Sequence, residues 1–201
     1  MRLIRFGGRK RLTLGGLVKT ILGVLLIYYV GGELISDGSR GKPKRPDRDV
    51  AGAARVVDGD TLELRGEKLR LQGIDAPELA QTCESRGQQV PCGKLAAAHL
   101  DDIIGARALN CAVEGRDRYG RGLARCQAGG RDIAEAMTRD GWALSDRRYS
   151  DGRYHGAEAA AKASRNGIWA MKFQDPAEWR ARRRQAFGTE EPILRLETAA
   201  R

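Results

Sequence analysis

From residue 53 onward, apolar and polar positions alternate in short runs. AARVVDG, TLELRG and KLRLQGI each put an apolar side chain at about every second residue, the period of a half-buried strand. The turn signals Asp58-Gly59 and Arg65-Gly66-Glu67 separate them, so the three read as a meander, with Gly59 supplying the positive φ of a tight hairpin. ARALNCAVEG and GLARCQAG predict two further strands on either side of the turn-like EGRDRYGRG. In three places the apolar spacing lengthens to that of a helix. CGKLAAAHLDDIIG ends at Gly105, DIAEAMTRDG starts at Asp132 and stops at Gly141, and HGAEAAAKASRNG leads into the aromatic anchor Ile168-Trp169. Five clustered strands with three helices between and after them predict an α+β domain built on a small barrel, not a parallel α/β sheet. There is no internal repeat.

The N-terminal pattern is different. Arg2, Arg5, Arg9, Lys10 and Arg11 precede an apolar run from Leu12 to Val30 that only Lys19 interrupts, with Tyr28 and Tyr29 near its far end. Basic residues stay on the cytoplasmic side, Tyr favours the interface, and a run of this length spans a bilayer. The expected organisation is a cytoplasmic basic segment at 1–11, a single transmembrane signal anchor at 12–35, a flexible linker at 36–50, one domain at 51–175 and a basic tail at 176–201. The domain then lies outside the cytoplasmic membrane, in the periplasm or extracellular space. The alternative is a secreted chain after signal-peptide cleavage near Gly31-Gly32. The linker SDGSRGKPKRPDRDV has almost nothing to bury.

This topology changes how the net charge of +10 is read. Residues 1–50 hold 11 Lys/Arg against 4 Asp/Glu, while residues 51–175 hold 19 against 18. Most of the excess belongs to the flank, so net charge alone does not identify a nucleic-acid partner.

Cys83, Cys92, Cys111 and Cys126 are an even set in a chain bound for an oxidising compartment. Three connectivities are open to four cysteines. Local structure favours Cys83–Cys92 across the loop TCESRGQQVPC and Cys111–Cys126 across two facing strands. Zinc is disfavoured, because the chain has no C-x-x-C pair and His99 and His155 fall in helical surroundings.

The candidate chemistry begins at Asp60, a second carboxylate just after the Asp58-Gly59 turn. GIDAPE ends the third strand with Asp75 and Glu78. Adjacent antiparallel strands can bring Asp60 and Asp75 to one end of the sheet, where two carboxylates repel unless a cation or proton is shared. Taken singly, each acid is ordinary turn chemistry. The combination is not ordinary, since Arg70 leads into GIDAPE and Arg121 stands between two glycines in RDRYGRG. A hard cation held by carboxylates and a carbonyl, with two arginines beside it, suits phosphate chemistry.

Together VVDGDTLEL, LRLQGIDAPE, DRYGRGLA and the terminal E…AK…GIW resemble the staphylococcal nuclease (thermonuclease) family, in order across residues 54 to 170. The resemblance implies a five-stranded OB-fold-type barrel with three helices. It also implies a calcium-dependent nuclease that hydrolyses phosphodiester bonds of DNA and RNA, a hydrolase acting on ester bonds. By position, Asp60 and Asp75 match the metal-binding carboxylates, Ala76 a backbone-carbonyl ligand, and Asp58 a supporting acid. Glu78 matches the glutamate that positions or deprotonates the attacking water, and Arg70 and Arg121 match the arginines that grip the phosphate. Arg118 and Tyr119 fall where the family contacts a terminal phosphate. Tyr149 stands in for a substrate-contacting tyrosine in a shortened loop. Ala76 replaces a Thr, a change that a backbone ligand tolerates. The cysteines, the anchor and the tail EWRARRRQ lie outside the family pattern, and a charged tail of this kind ordinarily reads as a solvated face.

The leading expectation is therefore an exported, membrane-anchored, calcium-dependent nuclease acting on DNA, RNA or both. The alternative is a non-catalytic OB-fold module that binds nucleic acid or a protein partner, although no protein partner can be inferred. A haloacid-dehalogenase-type phosphatase is a third class, because DGDTL partly fits D-x-D-x-T. Leu62 breaks that signature, and a meander is the wrong topology for it.

Overall fold

The computed structural model describes residues 46–146 and 151–188. The expected anchor, most of the linker, Tyr149 and residues 189–201 lie outside them. Among the described residues no helix is long and apolar enough to cross a membrane.

In chain order the elements are β1 (Arg48–Gly52), β2 (Ala54–Asp58), β3 (Thr61–Leu64), β4 (Glu67–Leu71), β5 (Ile74–Asp75), β6 (Cys83–Ser85), β7 (Gln88–Val90) and α1 (Cys92–Ile104). Then come β8 (Leu109–Arg116), β9 (Gly122–Ala128), β10 (Arg131–Asp132), α2 (Ile133–Arg139), β11 (Leu144–Ser145), α3 (His155–Ser164), a 3₁₀ turn at Gly167–Ala170 and α4 (Pro176–Gly188). The main sheet runs β1-β8-β9-β4-β3-β2, with β10 beside β9. All of its pairs are antiparallel except β4 with β9. β1 and β2 end this order at opposite sides, yet only Ala53 separates them in sequence, so the sheet must curl back on itself into a half-barrel. Arg65, from the β3–β4 turn, ties the curl by donating Nε–H to the Ala51 carbonyl at 2.8 Å.

The alternation seen in sequence fills this barrel. Leu62, Leu64, Leu69 and Leu71 point inward and are fully buried, joined by Val113 and Ala124 from the facing strands. Ala96, Leu100, Ile103 and Ile104 of α1 close over them, and Ile133 and Met137 bring in α2. Asp132 caps α2 by accepting hydrogen bonds from the Ala134 and Glu135 amides at 2.9 and 3.1 Å.

The five expected strands are present as β2, β3, β4, β8 and β9, and the three helices as α1, α2 and α3. Three features differ from the sequence reading. Arg48–Val50, assigned to the linker, open β1, which pairs with β8 from Arg48↔Val113 to Gly52↔Leu109. Backbone hydrogen bonds hold this strand, so its charged residues gave no alternation to read. The Cys loop is a small hairpin, β6–β7, and Cys83–Cys92 closes it, while Cys111–Cys126 links a directly opposed pair of β8 and β9. The basic tail begins as a fourth helix, α4, capped by Asp175, whose Oδ1 accepts from the Ala177 amide at 2.8 Å.

Gly59 requires a correction as well. Its φ is not positive. A Cβ there would stand 2.7 Å from the Ala76 Cβ and 3.0 Å from the Ala96 Cβ, so glycine is needed for close packing beneath β5 and α1.

Candidate active site

Asp60 is the second residue of the two-residue turn between β2 and β3. Its amide donates to Asp58 Oδ1 at 3.0 Å, which fixes the turn. The close approach at Gly59 presses the turn against the Ala76 loop, where the Ala76 amide donates to Asp60 Oδ2 at 3.1 Å. Thr61, the next residue, is buried and donates its hydroxyl to Asp60 Oδ1 at 3.0 Å. Asp60 itself is only 4% exposed. Burial, with Asp58 and Asp75 adding to it, pushes its carboxyl up to about 6 against the pull of Arg70 and the Ala76 amide.

Arg70 draws the two expected carboxylates together. It lies on β4 directly opposite Thr61, and its guanidinium pairs with Asp60 Oδ1 while donating to Asp75 Oδ1 at 2.9 Å and to the Ile74 carbonyl at 3.2 Å. Burial works against its charge, but the two acids outweigh it and hold the guanidinium above its ordinary value. Asp75 stays in place because β5 pairs with β11, through Leu144↔Asp75 and Ser145↔Ile74.

Arg121 reaches the same spot from the β8–β9 turn. Its Nη1 donates to Thr61 Oγ1 at 3.1 Å and its Nε to Asp117 Oδ2 at 2.7 Å. Asp117 also accepts from the Tyr119 and Arg121 amides. Burial raises this acid, and the bonds from Arg121 and the Tyr119 amide together overcome that and lower it. Arg118 and Tyr119 form the exposed tip of the turn. Arg118 donates to the Tyr119 hydroxyl at 2.8 Å, and the Arg118 and Arg121 guanidinium carbons lie 4.8 and 5.7 Å from the ring centre.

Glu78 stands on the loop after β5. Its amide donates to the side-chain oxygen of the fully buried Gln81 at 3.2 Å, and the Gln81 side-chain nitrogen donates to the Gln174 carbonyl at 2.7 Å. This loop packs onto α1 at Gly93, where any Cβ would overlap the Glu78 carbonyl.

The structure adds a third arginine that the sequence reading left in the solvated tail. Arg180 of α4 bonds both oxygens of Asp75, Nη1 to Oδ1 at 2.9 Å and Nη2 to Oδ2 at 2.8 Å, and Nη1 also donates to Glu78 Oε1 at 2.7 Å. Half-burial opposes its charge, and the two acids more than compensate. Thr61, Asp117, Gln81 and Arg180 were all missed. Asp117 alone carried a local signal, four residues before Arg121 in the same turn. Tyr149 lies outside the described residues.

A divalent cation is what the resemblance implies for this site. Asp60 and Asp75 offer hard, largely buried oxygens, so the donor chemistry fits such an ion. Among the described residues no group of three or more His, Cys, Asp or Glu forms a ready-made metal cluster, and guanidinium groups engage the oxygens of Asp75 and one of Glu78.

Residues 68–171, more than half of the chain, match the family described as Staphylococcal nuclease homologue. The chain belongs to that family. The matched stretch holds Arg70, Asp75, Glu78 and Arg121, while Asp60 and Arg180 fall outside it. Among similar proteins, the succinoglycan biosynthesis protein ExoI of Rhizobium meliloti (strain 1021) is 40% identical over 123 residues, 60% of this chain and 64% of that protein. A probable endonuclease LCL3 of Schizophyllum commune is 33% identical over 66% of this chain and 51% of its own length. An uncharacterized endonuclease of Haemophilus influenzae is 29% identical over 67% of this chain and 74% of its own. This nuclease-family chain thus aligns with less than two thirds of the first two relatives.

Proposed function

We propose that the chain is a calcium-dependent nuclease that hydrolyses phosphodiester bonds of DNA, RNA or both by in-line attack of water. The observation that carries this reading is the convergence of Asp60, Asp75, Glu78, Arg70 and Arg121 around Thr61 and the β5 loop, from four separate segments of the family fold. The endonuclease names of two relatives support it.

Asp60, Asp75 and the Ala76 carbonyl would hold the cation, with Asp58 in support. When bound, the ion supplies Lewis-acid polarisation of the phosphate and an oriented water. Glu78, on its braced loop, takes a proton from the attacking water or orients it. Arg70 and Arg121 stabilise charge that grows on the phosphoryl oxygens. The Asp117 and Thr61 bonds fix the Arg121 fork before substrate arrives. Arg118 and Tyr119 at the exposed tip would meet the flanking phosphate and base. We also assign the segment at 12–35 as a membrane anchor that leaves the domain outside the cytoplasmic membrane, in keeping with the two disulfides.

The test is cleavage of single-stranded and duplex DNA by the purified chain with calcium, with magnesium and with chelator, alongside Glu78→Gln. Calcium-dependent cutting that largely disappears in the variant is expected. A folded, oxidised chain that cuts nothing under any ion refutes the proposal and leaves a nucleic-acid-binding module.

A further inference from the structure

We infer that Arg180 and the divalent cation compete for the same carboxylate oxygens, so that α4 acts as a built-in counter-ion that must withdraw when the metal loads. Asp75 gives both of its oxygens to the Arg180 guanidinium, and Glu78 gives Oε1 to the same Nη1. A guanidinium has a fixed planar fork and no acceptor. It neutralises these acids, but it has no vacant coordination site with which to polarise a water or a phosphate oxygen as a hard ion does. While it sits there, both oxygens of Asp75 are engaged by guanidinium groups, Oδ1 by Arg70 as well.

The placement of Arg180 is built rather than incidental. The segment before α4 is laddered to β6, with Glu84 and Lys172 exchanging backbone bonds at 2.8 and 2.9 Å. Gln81 holds the Gln174 carbonyl, so one buried amide fixes both the Glu78 loop and the root of α4. Asp175 then starts the helix, and Arg180 arrives in its second turn. Beyond the root, α4 buries little. Pro176 is its one buried residue among those described, and Arg182, Arg183 and Arg184 are exposed. A pinned base and a sparsely buried body let the helix swing outward. The three arginines of the site then differ in kind. Arg70 sits on a sheet strand and bonds the Ile74 carbonyl beside the two acids, Arg121 bonds Asp117 and Thr61, and Arg180 bonds Asp75 and Glu78 from a helix that buries little.

The inference rests on the cation reading proposed above, and its test reads binding rather than cutting. Calcium affinity of the full chain is measured by titration calorimetry for wild type and Arg180→Ala, with thermal melts to establish that both are folded. Removing the competitor is expected to tighten calcium binding at least about tenfold, because a site open only a fraction of the time loses apparent affinity by that fraction. Arg180→Lys, with a single point charge, is expected to fall between. On wild type alone, calcium is expected to speed amide exchange at residues 176–188 and at no other helix. Equal or weaker calcium binding by the alanine variant overturns the inference, as does exchange in α4 that calcium leaves unchanged or slows. Cation-dependent cutting with equal affinities overturns this inference alone. Cutting in chelator with no calcium bound by either chain overturns it together with the cation reading.

Discussion

Replacing Gln81 with Met removes the amide that joins the Glu78 loop to the root of α4 while keeping nearly the same length and volume. The Glu78 amide and the Gln174 carbonyl then lose their partners, at 3.2 and 2.7 Å, in a place where Gln81 itself is 0% exposed. A buried polar group left unsatisfied costs about 1–3 kcal/mol. The pair therefore costs about 2–6 kcal/mol, reduced where the half-exposed Glu78 segment can turn to water. For a domain of this size each kcal/mol lowers Tm by roughly 3–5 °C, so a drop on the order of 10 °C is expected. Urea unfolding with an unchanged slope measures it. Cleavage, assayed well below the new Tm, should show kcat down at least about tenfold with little change in KM, since the Glu78 carboxylate loses its placement and not its charge. Gln81→Glu separates the two bonds, because it still accepts from Glu78 but meets the Gln174 carbonyl with a second acceptor. A Met variant within about 0.5 kcal/mol of wild type and with normal kcat refutes the reasoning.

Three further outcomes are expected. Arg121→Lys should lower kcat/KM by about 10²–10³, since one ammonium cannot hold Asp117 and Thr61 and still present a fork to phosphate; near-normal turnover removes Arg121 from that role. Replacing Cys83 and Cys92 with Ser, or Cys111 and Cys126 with Ser, should each cost about 3 kcal/mol by loop-closure entropy. Only the first pair should also depress cleavage, because its Cys92 starts the helix whose Gly93 seats Glu78; equal loss from both pairs contradicts this. The Asp60 carboxyl sits at about 6 instead of the ordinary 3.8, so ionising it costs native stability as pH rises through that interval. The calcium-induced gain in Tm should accordingly be large at about pH 7 and shrink toward zero at about pH 5, where a proton holds the ligand; a gain independent of pH refutes it.

The residues legible in sequence are those whose position depends on short-range pattern. Asp60 follows a turn, Asp75 and Glu78 end a strand of alternating leucines, and Arg121 sits in a glycine-flanked turn, so period and punctuation place them. Arg180 meets Asp75 across 105 residues and Gln81 meets Gln174 across 93, and no local rule connects positions so far apart. Charge misled in the same places. RDV at the head of β1 and RARRR in α4 look like solvated runs, because the first is held by backbone bonds and the second sends just one of its neighbouring arginines inward. Gly59 was assigned to the right turn for the wrong reason, since contact with Ala76 and Ala96 cannot be read from a dipeptide.

Among the described residues β4 and β9 form the only parallel pair of the sheet, in register through Leu69↔Gly122, Arg70↔Leu123 and Leu71↔Ala124. A parallel pair demands a long crossover, and here that excursion carries the Cys hairpin, α1 and β8. Evolution can therefore lengthen or trim the exposed β6–β7 tip without moving either Arg70 or Arg121. A single residue inserted within β4 would turn Arg70 into the leucine face and a leucine toward Asp60. Tolerance to insertion and intolerance of it thus lie within twenty residues of each other, and homologues of this chain should vary in length at the first place and never at the second.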